Sequence, residues 1–170
     1  MCGFCSFHFR KIAGIDLNEY VIANEYSRKI NGANMTKITV QSIVHASIDQ
    51  VWQIYNNPQD IEQWNTASPD WHTVNSVNDL RVGGQFSNRM EAKDGSMGFD
   101  FTGTYTQVIP HEKITYTFGD RLAEVIFKQE GSAVLVKISF DPETVYPIEQ
   151  QQAGWQAILN NFARYVESKL

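Results

Sequence analysis

The side chains of this sequence that could perform acid–base or metal chemistry are few and well separated. His45, His72 and His111 stand alone, with no His-x-x-x-His pair and no carboxylate-paired cluster around them. Zinc and related ions need several such ligands in close spacing, so we expect no metal site and no cofactor. The nucleophile-elbow pattern of Ser/His/Asp hydrolases is also missing from the sequence. Any catalytic residues therefore stay unknown at this level.

The sharpest local motif is Arg81-Val82-Gly83-Gly84, just before a segment rich in β signals. It is not a phosphate-binding P-loop, because the G-x-x-x-x-G-K-[ST] spacing is absent. Two glycines at the start of a strand favour a bulge or a close approach of two backbones. Arg81 could then pair with the carboxylate of Asp79 or steady an anionic ligand. Among the histidines, we place His72, next to Trp71, near a cavity mouth.

A second polar set lies in the strand predicted after the glycines. Arg89 and Glu91 alternate there with Phe86, Asn88 and Met90. Successive side chains of a strand point to opposite faces. If Phe86 points inward, the two charged side chains point outward and form a solvated pair of little energetic weight. A bulge after the glycines would reverse this facing and bring Glu91 inside, and the residues alone leave both arrangements open.

Large amphipathic aromatic side chains are frequent, and as a set they favour an apolar pocket in which each polar tip finds a partner. Any one of them could equally belong to a simple core. Gln151 precedes Trp155 by one helical turn and could offer hydrogen bonds to a ligand. The candidate ligand-binding residues are Trp64, Trp71, His72, Arg81, Tyr105, Tyr116, Gln151 and Trp155.

The composition is that of one acidic, globular domain. The chain has 170 residues, of which 42% are hydrophobic, and its formal net charge is −5. Acidic surfaces repel phosphate backbones and anionic lipids, so we expect no nucleic acid partner. No apolar run of about eighteen residues exists, so we expect no membrane span. Cysteine occurs only at Cys2 and Cys5, which fits a reducing, cytoplasmic location.

The start of the chain differs from the rest in charge. Residues 1–34 carry four basic and three acidic side chains, a net charge of +1, whereas residues 35–170 carry ten and sixteen, a net charge of −6. Cys2 and Cys5 have the C-x-x-C spacing, but a structural zinc site needs four ligands and no second pair follows. Periodic patterning begins just after Met35. We therefore predict a poorly ordered leader or N-terminal extension over 1–34 and one domain over 35–170.

Residue patterning after Met35 predicts helices and strands in a definite order. Ile38–Val44 is rich in β-branched residues, which is typical of a strand. Ser47 is a suitable N-cap for a short amphipathic helix, and Pro58 opens a second short helix that ends near Trp64. A long helix with an apolar stripe closes the chain from about Ile148 to Ser168. Six strands are predicted between the helices, at Trp71–Val77, Gln85–Glu91, Phe99–Ile109, Lys113–Phe118, Arg121–Gln129 and Ala133–Phe140.

These elements predict an α+β fold. Short connections between consecutive strands favour an antiparallel meander. The expected architecture is a curved antiparallel β-sheet of about six to seven strands wrapped around the long C-terminal helix, with two short helices after the first strand. Such a sheet leaves a cavity between itself and the helix.

Six short motifs follow one another in order over residues 37–169. They are Ala46–Trp52 ("A-x-x-x-x-V-W"), Ile61–Trp64, Asp79–Phe86 ("D-x-R-x-G-G-x-F"), the Asp94-Gly95 hairpin, Gly103–Ile114 ("G-x-Y-x-x-V-x-P-x-E-x-I") and Gly154–Leu159 ("G-W-x-x-x-L"). Each motif alone is weak, but the ordered series resembles the AHSA1-like branch, named for activator of Hsp90 ATPase homologue 1, of the START/Bet v 1-like helix-grip superfamily (SRPBCC proteins). Residues 1–34 have no counterpart in that pattern.

The resemblance implies a helix-grip fold whose cavity holds hydrophobic or amphipathic small molecules. Some distant members are cyclases, hydratases or ring-oxygenase subunits. Eukaryotic members stimulate the Hsp90 ATPase with an additional N-terminal domain, for which this chain has no room, so we expect no full co-chaperone role.

Three hypotheses follow for function. The first is non-catalytic binding of a small hydrophobic or amphipathic molecule, and a possible homodimer stays open. The second is a cyclase- or hydrolase-type enzyme that uses His72 or Glu91 as a cavity acid or base, assisted by Arg81 or a tyrosine. The third is a protein-interaction module, which would show an exposed apolar patch instead of a cavity.

Overall fold

A computed structural model describes residues 36–170, so the predicted leader over 1–34, with Cys2 and Cys5, lies outside the described residues. The described chain follows the predicted order of elements, and every strand boundary lies within one residue of its prediction. The strands are β1 Ile38–Val44, β2 Trp71–Asn78, β3 Gln85–Ala92, β4 Gly98–Ile109, β5 Lys113–Phe118, β6 Arg121–Glu130 and β7 Ala133–Phe140. The helices are α1 Ile48–Asn56, α2 Pro58–Trp64 and α3 Ile148–Glu167.

All seven strands belong to one antiparallel sheet in the order β1-β7-β6-β5-β4-β3-β2. Strands that follow one another in sequence pair from β2 to β7, as the short connections predict. β1 returns to the far edge and pairs with β7, with Ile38 opposite Phe140 and Val44 opposite Val134. The sheet curls into a half-barrel with α3 on its concave side, which confirms the predicted fold class.

The two short helices begin where local sequence signals place them. The hydroxyl of Ser47 accepts a hydrogen bond from the backbone N–H of Gln50, and the Gln50 side chain accepts one from the backbone N–H of Ser47. This capping box satisfies two amide groups that would otherwise lack partners at the start of α1. Pro58 occupies the first turn of α2, where its missing N–H costs nothing. No helix of the described chain is long and apolar enough to cross a membrane.

Irregularities in two pairs of neighbouring strands contribute to the curl of the sheet. The register between β4 and β5 shifts between Tyr105 and Gln107, and the register between β2 and β3 shifts between Val74 and Val77. Asn75, within the second shift, has a positive φ of 52°. Bulges of this kind bend a strand and increase its twist.

The main core lies between α3 and the strands β1, β5, β6 and β7. Phe140 and Phe162 have no exposed surface, and Leu159 and Val166 are 1% exposed. Burial of each such side chain stabilises the fold by about 1.5–3 kcal/mol. This packing holds α3 against one part of the concave face. The part formed by β2–β4 does not belong to this main core.

The free edge of β1 is covered by glutamine side chains of α3. The backbone N–H of Gln41 donates to Oε1 of Gln156 at 3.2 Å, and Nε2 of Gln156 donates to the carbonyl of Gln41 at 2.9 Å. Nε2 of Gln152 donates to the carbonyl of Thr39 at 3.2 Å. The side-chain amides thus replace a neighbouring strand, which protects the edge from pairing with another chain.

Candidate functional site

A pocket of about 160 Å³ lies between the concave face of the sheet and α3. The strands β2, β3, β4, β5 and β7 provide its floor, α3 provides one wall, and α1, α2, residues 65–68 and Tyr146 contribute the remainder. The aromatic and aliphatic side chains that line it are Tyr55, Ile61, Trp64, Ala67, Trp71, Phe86, Met90, Phe99, Phe101, Tyr105, Ile114, Tyr116, Ile138, Tyr146, Trp155, Ile158 and Leu159. The polar residues that line it are Asn56, Asn65, Ser68, Asn88, Gln150 and Gln151.

The aromatic lining is held by contacts between rings from different elements. Phe86 of β3 meets Tyr116 of β5 edge to face, with ring centroids 5.0 Å apart. Trp155 of α3 stacks on Phe140 of β7 at 4.1 Å, which fixes the indole against the sheet. Phe101 of β4 meets Trp155 edge to face at 6.0 Å. Such contacts add to the burial energy of each ring and keep the lining side chains in defined orientations.

Gly103 makes room for the ring at the centre of the floor. Gly103 lies opposite Phe86 in the β3–β4 register. A Cβ atom at position 103 would stand 2.5 Å from the Phe86 ring and 2.6 Å from the carbonyl oxygen of Thr117. The absence of a side chain therefore lets Phe86 lie over β4 and reach Tyr116. This packing explains the glycine of the G-x-Y motif, since any other residue would displace the ring.

The double glycine ties the turn before β3 to β4. The backbone N–H of Gly83 donates to the carbonyl of Tyr105, and the N–H of Tyr105 donates to the carbonyl of Gly84. A Cβ on Gly84 would lie 2.1 Å from the carbonyl oxygen of Asp79, so two backbones approach here as the motif predicts. Arg81 pairs with Asp79, with Nε 2.8 Å from Oδ2. Arg81 is therefore part of an exposed turn outside the pocket lining.

Several polar side chains of the lining, among them Tyr105, Asn88 and Gln151, have partners within the described chain. The hydroxyl of Tyr105 donates to Oδ1 of Asn78 at 2.8 Å. Oδ1 of Asn88 accepts from the hydroxyl of Ser76 at 2.5 Å. Oε1 of Gln151 accepts from the backbone N–H of Glu143, and its Nε2 donates to the carbonyls of Glu143 and Tyr146. These bonds hold the lining in place and leave little of these groups for another molecule.

Several other polar groups of the lining have no hydrogen-bond partner among residues 36–170. They are the hydroxyls of Tyr55 and Tyr116, the Nδ2 group of Asn88, the side-chain amide of Asn65 and Oδ1 of Asn56. Burial raises the pKa of Tyr55, and the proximity of Tyr105 raises it further. Burial also raises the pKa of Tyr116, with a smaller contribution from the nearby Tyr55 and Tyr105 hydroxyls. These phenols therefore stay protonated at neutral pH and can donate hydrogen bonds.

The predicted candidate residues fall into two groups in space. The structure brings together at the pocket Trp64, Trp71, Tyr105, Tyr116, Gln151 and Trp155, whereas His72 and Arg81 do not line it. His72 follows Trp71 along β2 and therefore points to the opposite face of the sheet. Its Nε2 lies 3.2 Å from Oε1 of Glu91.

The charged residues of β3 lie on the outer face of the sheet with His72. Phe86 lies over the pocket, so Arg89 and Glu91 point outward, which is the arrangement expected without a reversing bulge. Nε of Arg89 lies 3.3 Å from Glu91, and its NH1 lies 3.6 Å from Asp100. Hydrogen bonds from Arg89 and His72 lower the pKa of Glu91. Glu91 is thus an ionised surface carboxylate at neutral pH.

Sequence reasoning missed several lining residues that no local motif marks. Tyr55 and Ile61 come from the short helices, and Phe86 and Asn88 come from the inward face of β3. The alternation of side chains along β3 already placed Phe86 and Asn88 on one face. This alternation could have added both residues to the candidate ligand-binding residues. Tyr55 sits on the apolar stripe of α1, whose target surface only the tertiary fold defines.

A curled antiparallel sheet that grips a C-terminal helix around an apolar pocket defines the helix-grip class of α+β proteins. Residues 45–167 match the family described as activator of Hsp90 ATPase homolog 1-like protein. The chain belongs to this family, as the six motifs indicate. Among curated proteins, none matches the chain significantly.

Solved structures of similar proteins share the fold. An AHSA1-like protein from Aeromonas hydrophila is 46% identical, with a TM-score of 0.75 over 78% of this chain and 93% of that one. A protein from Cytophaga hutchinsonii is 48% identical, with a TM-score of 0.69 over 78% and 93% of the two chains. A protein from Chromobacterium violaceum is 23% identical, with a TM-score of 0.69 over 77% and 97%, and it shares the fold alone.

Proposed function

We propose that this protein binds a small hydrophobic or amphipathic molecule in the pocket between the sheet and α3. The observation that carries the proposal is the lining, in which aromatic and aliphatic side chains from both the sheet and the helices surround the space with few polar groups. Mostly apolar, concave sites with a few convergent polar groups are typical of small-molecule binding.

The volume limits the size of the ligand. An apolar cavity of about 150 Å³ accepts a molecule the size of benzene. The pocket of about 160 Å³ therefore suits a ligand with one ring or a chain of similar bulk. A larger lipid or polyketide would extend into solvent or require the walls to move apart.

The acid–base alternative has less support. It requires His72 or Glu91 at the cavity, and both lie on the outer face of the sheet, paired with each other. Among residues 36–170, moreover, no group of three or more His, Cys, Asp or Glu side chains could hold a metal ion.

A titration of the isotope-labelled protein with single-ring compounds, followed by amide chemical shifts, tests the proposal. We expect saturable shifts that cluster on residues of β3–β5 and α3. Ala67→Trp should abolish them, since Ala67 lines the pocket and the indole would fill it. Ala153→Trp is the matched control, because Ala153 is an exposed residue of α3 outside the lining. Saturable binding that persists in Ala67→Trp, or that maps outside the pocket, would contradict the proposal.

A further inference from the structure

Three of the polar groups that face the pocket without a partner come from three different elements. Tyr55 lies on α1, Asn88 on β3 and Tyr116 on β5, and all three line the same space. Tyr116 is 6% exposed and Asn88 is 7% exposed. Buried polar groups in native proteins almost always have hydrogen-bond partners. These three groups are accessible from the pocket, so a bound molecule can supply the partner.

These three groups can all donate a hydrogen bond. The amide nitrogen of Asn88 can only donate, and its carbonyl oxygen already accepts from Ser76. The hydroxyls of Tyr55 and Tyr116 are protonated phenols, each of which donates one hydrogen bond and can also accept. The complementary ligand atom is an oxygen that accepts, such as the carbonyl oxygen of a ketone, ester or amide.

The lining also carries no formal charge at neutral pH. None of its residues is Asp, Glu, Lys, Arg or His. An ion that enters such a space loses its hydration, which is far more costly than burial of a neutral group. The Arg121 guanidinium acts on Tyr116, but it is itself close to Glu143, Asp120 and Asp141. The aromatic faces could attract a cation, but one face of Trp155 and one face of Trp64 are already covered by Phe140 and Tyr55.

We propose that the pocket selects a neutral, single-ring ligand with a carbonyl-type oxygen that accepts hydrogen bonds from donors among Tyr55, Asn88 and Tyr116. This inference rests on the proposed function, because it names the class of ligand for the same pocket. It excludes carboxylates and ammonium ions of the same shape. Selection arises from neutral donors in a space lined mostly by rings and aliphatic side chains.

Four probes of almost equal size separate the contributions of the ring, the acceptor oxygen and the charge to binding. Acetophenone has the ring and the acceptor oxygen, ethylbenzene has the ring alone, benzoate adds a negative charge, and phenyltrimethylammonium adds a positive one. Dissociation constants come from amide chemical shifts of the full chain at pH 7.5. We expect acetophenone to bind about tenfold more tightly than ethylbenzene, the value for about one to two neutral hydrogen bonds. Benzoate and the ammonium ion should bind at least about tenfold more weakly than acetophenone.

The pH dependence of benzoate binding provides a second readout. A site that accepts only the neutral acid binds in proportion to the protonated fraction, and a carboxyl group with a pKa near 4 loses that fraction about tenfold per pH unit above it. The apparent affinity for benzoate should therefore rise about tenfold from pH 7.5 to pH 6.5. The affinity for acetophenone, which does not titrate, should stay constant over this range.

Variants of the tyrosines test whether the hydroxyls of Tyr55 and Tyr116 cause the preference for acetophenone. Tyr116→Phe and Tyr55→Phe should each weaken acetophenone binding about two- to tenfold, the range of one neutral hydrogen bond, and leave ethylbenzene binding unchanged. Tyr165→Phe is the matched control, because Tyr165 lies outside the pocket lining and its hydroxyl donates to Asp60. It should leave the ratio of acetophenone to ethylbenzene affinity as in the unmodified protein.

The outcomes distinguish this inference from the function on which it rests. Equal binding of acetophenone and ethylbenzene, or tighter binding of either ion, would overturn the inference while leaving a binding pocket in place. An acetophenone preference that survives in both Tyr116→Phe and Tyr55→Phe would overturn the role of the hydroxyls. Failure of all four probes to bind at millimolar concentration would count against the proposed function itself.

Discussion

Gly103→Ala should destabilise the protein strongly, although it adds only one methyl group. The new Cβ would lie 2.5 Å from the Phe86 ring and 2.6 Å from the carbonyl oxygen of Thr117. Phe86 is 7% exposed and packed against Tyr116, so its ring has little room to turn away. The second obstacle is backbone, which moves only with the strand pairing. Overpacking costs about 1–3 kcal/mol, and we expect the upper half, about 2–3 kcal/mol, because two obstacles must move together.

Urea unfolding measures this effect as a shift of the midpoint at constant m-value. Thr102→Ala is the matched control on the same strand, since Thr102 is exposed, and it should cost less than about 1 kcal/mol. Phe86→Ala alone should cost about 3–5 kcal/mol through the cavity that it leaves. In the double variant the ring is gone, so the Gly103 substitution should cost at least about 1 kcal/mol less than it does alone. An unchanged midpoint for Gly103→Ala, or additive costs in the double variant, would refute the close-packing argument.

Three further predictions concern the capping box, the covered edge and the buried phenols. Ser47→Ala removes the N-cap of α1 and should lower the free energy of unfolding by about 1 kcal/mol in urea; no loss would contradict the cap. Gln156→Ala should accelerate hydrogen exchange of the Gln41 amide and cost about 0.5–1 kcal/mol; unchanged exchange would mean that the side chain does not protect the edge. Tyrosines of the unfolded chain ionise near pH 10, whereas the buried tyrosines of the folded protein keep their protons. The free energy of unfolding should therefore fall above pH 10, by about 1.4 kcal/mol per pH unit for each buried tyrosine. Tyr116→Phe should make that slope shallower by one such contribution in urea midpoints measured from pH 9 to 11, and equal slopes would contradict the raised pKa.

Local patterns of the sequence determined the elements and their order. The β-branched run of β1, the Ser47 cap and the proline of α2 each act over a few residues, so they are legible without the fold. Strand alternation also separated the inward Phe86 from the outward Arg89 and Glu91. The ordered motifs indicated the family, because their glycines and aromatics record contacts that this fold repeatedly makes.

Only the tertiary structure decided which side chains share the pocket. His72 and Trp71 are neighbours in sequence, yet strand alternation sends Trp71 to the pocket and His72 to the outer face beside Glu91. Tyr55 and Tyr116 are distant in sequence, and the curl of the sheet around α3 brings them to one space. Which hydroxyls keep a partner depends on such long-range contacts, as the bond from Tyr105 to Asn78 shows. The polar groups that lack a partner are those that folding itself does not satisfy, so sequence spacing alone could not identify them.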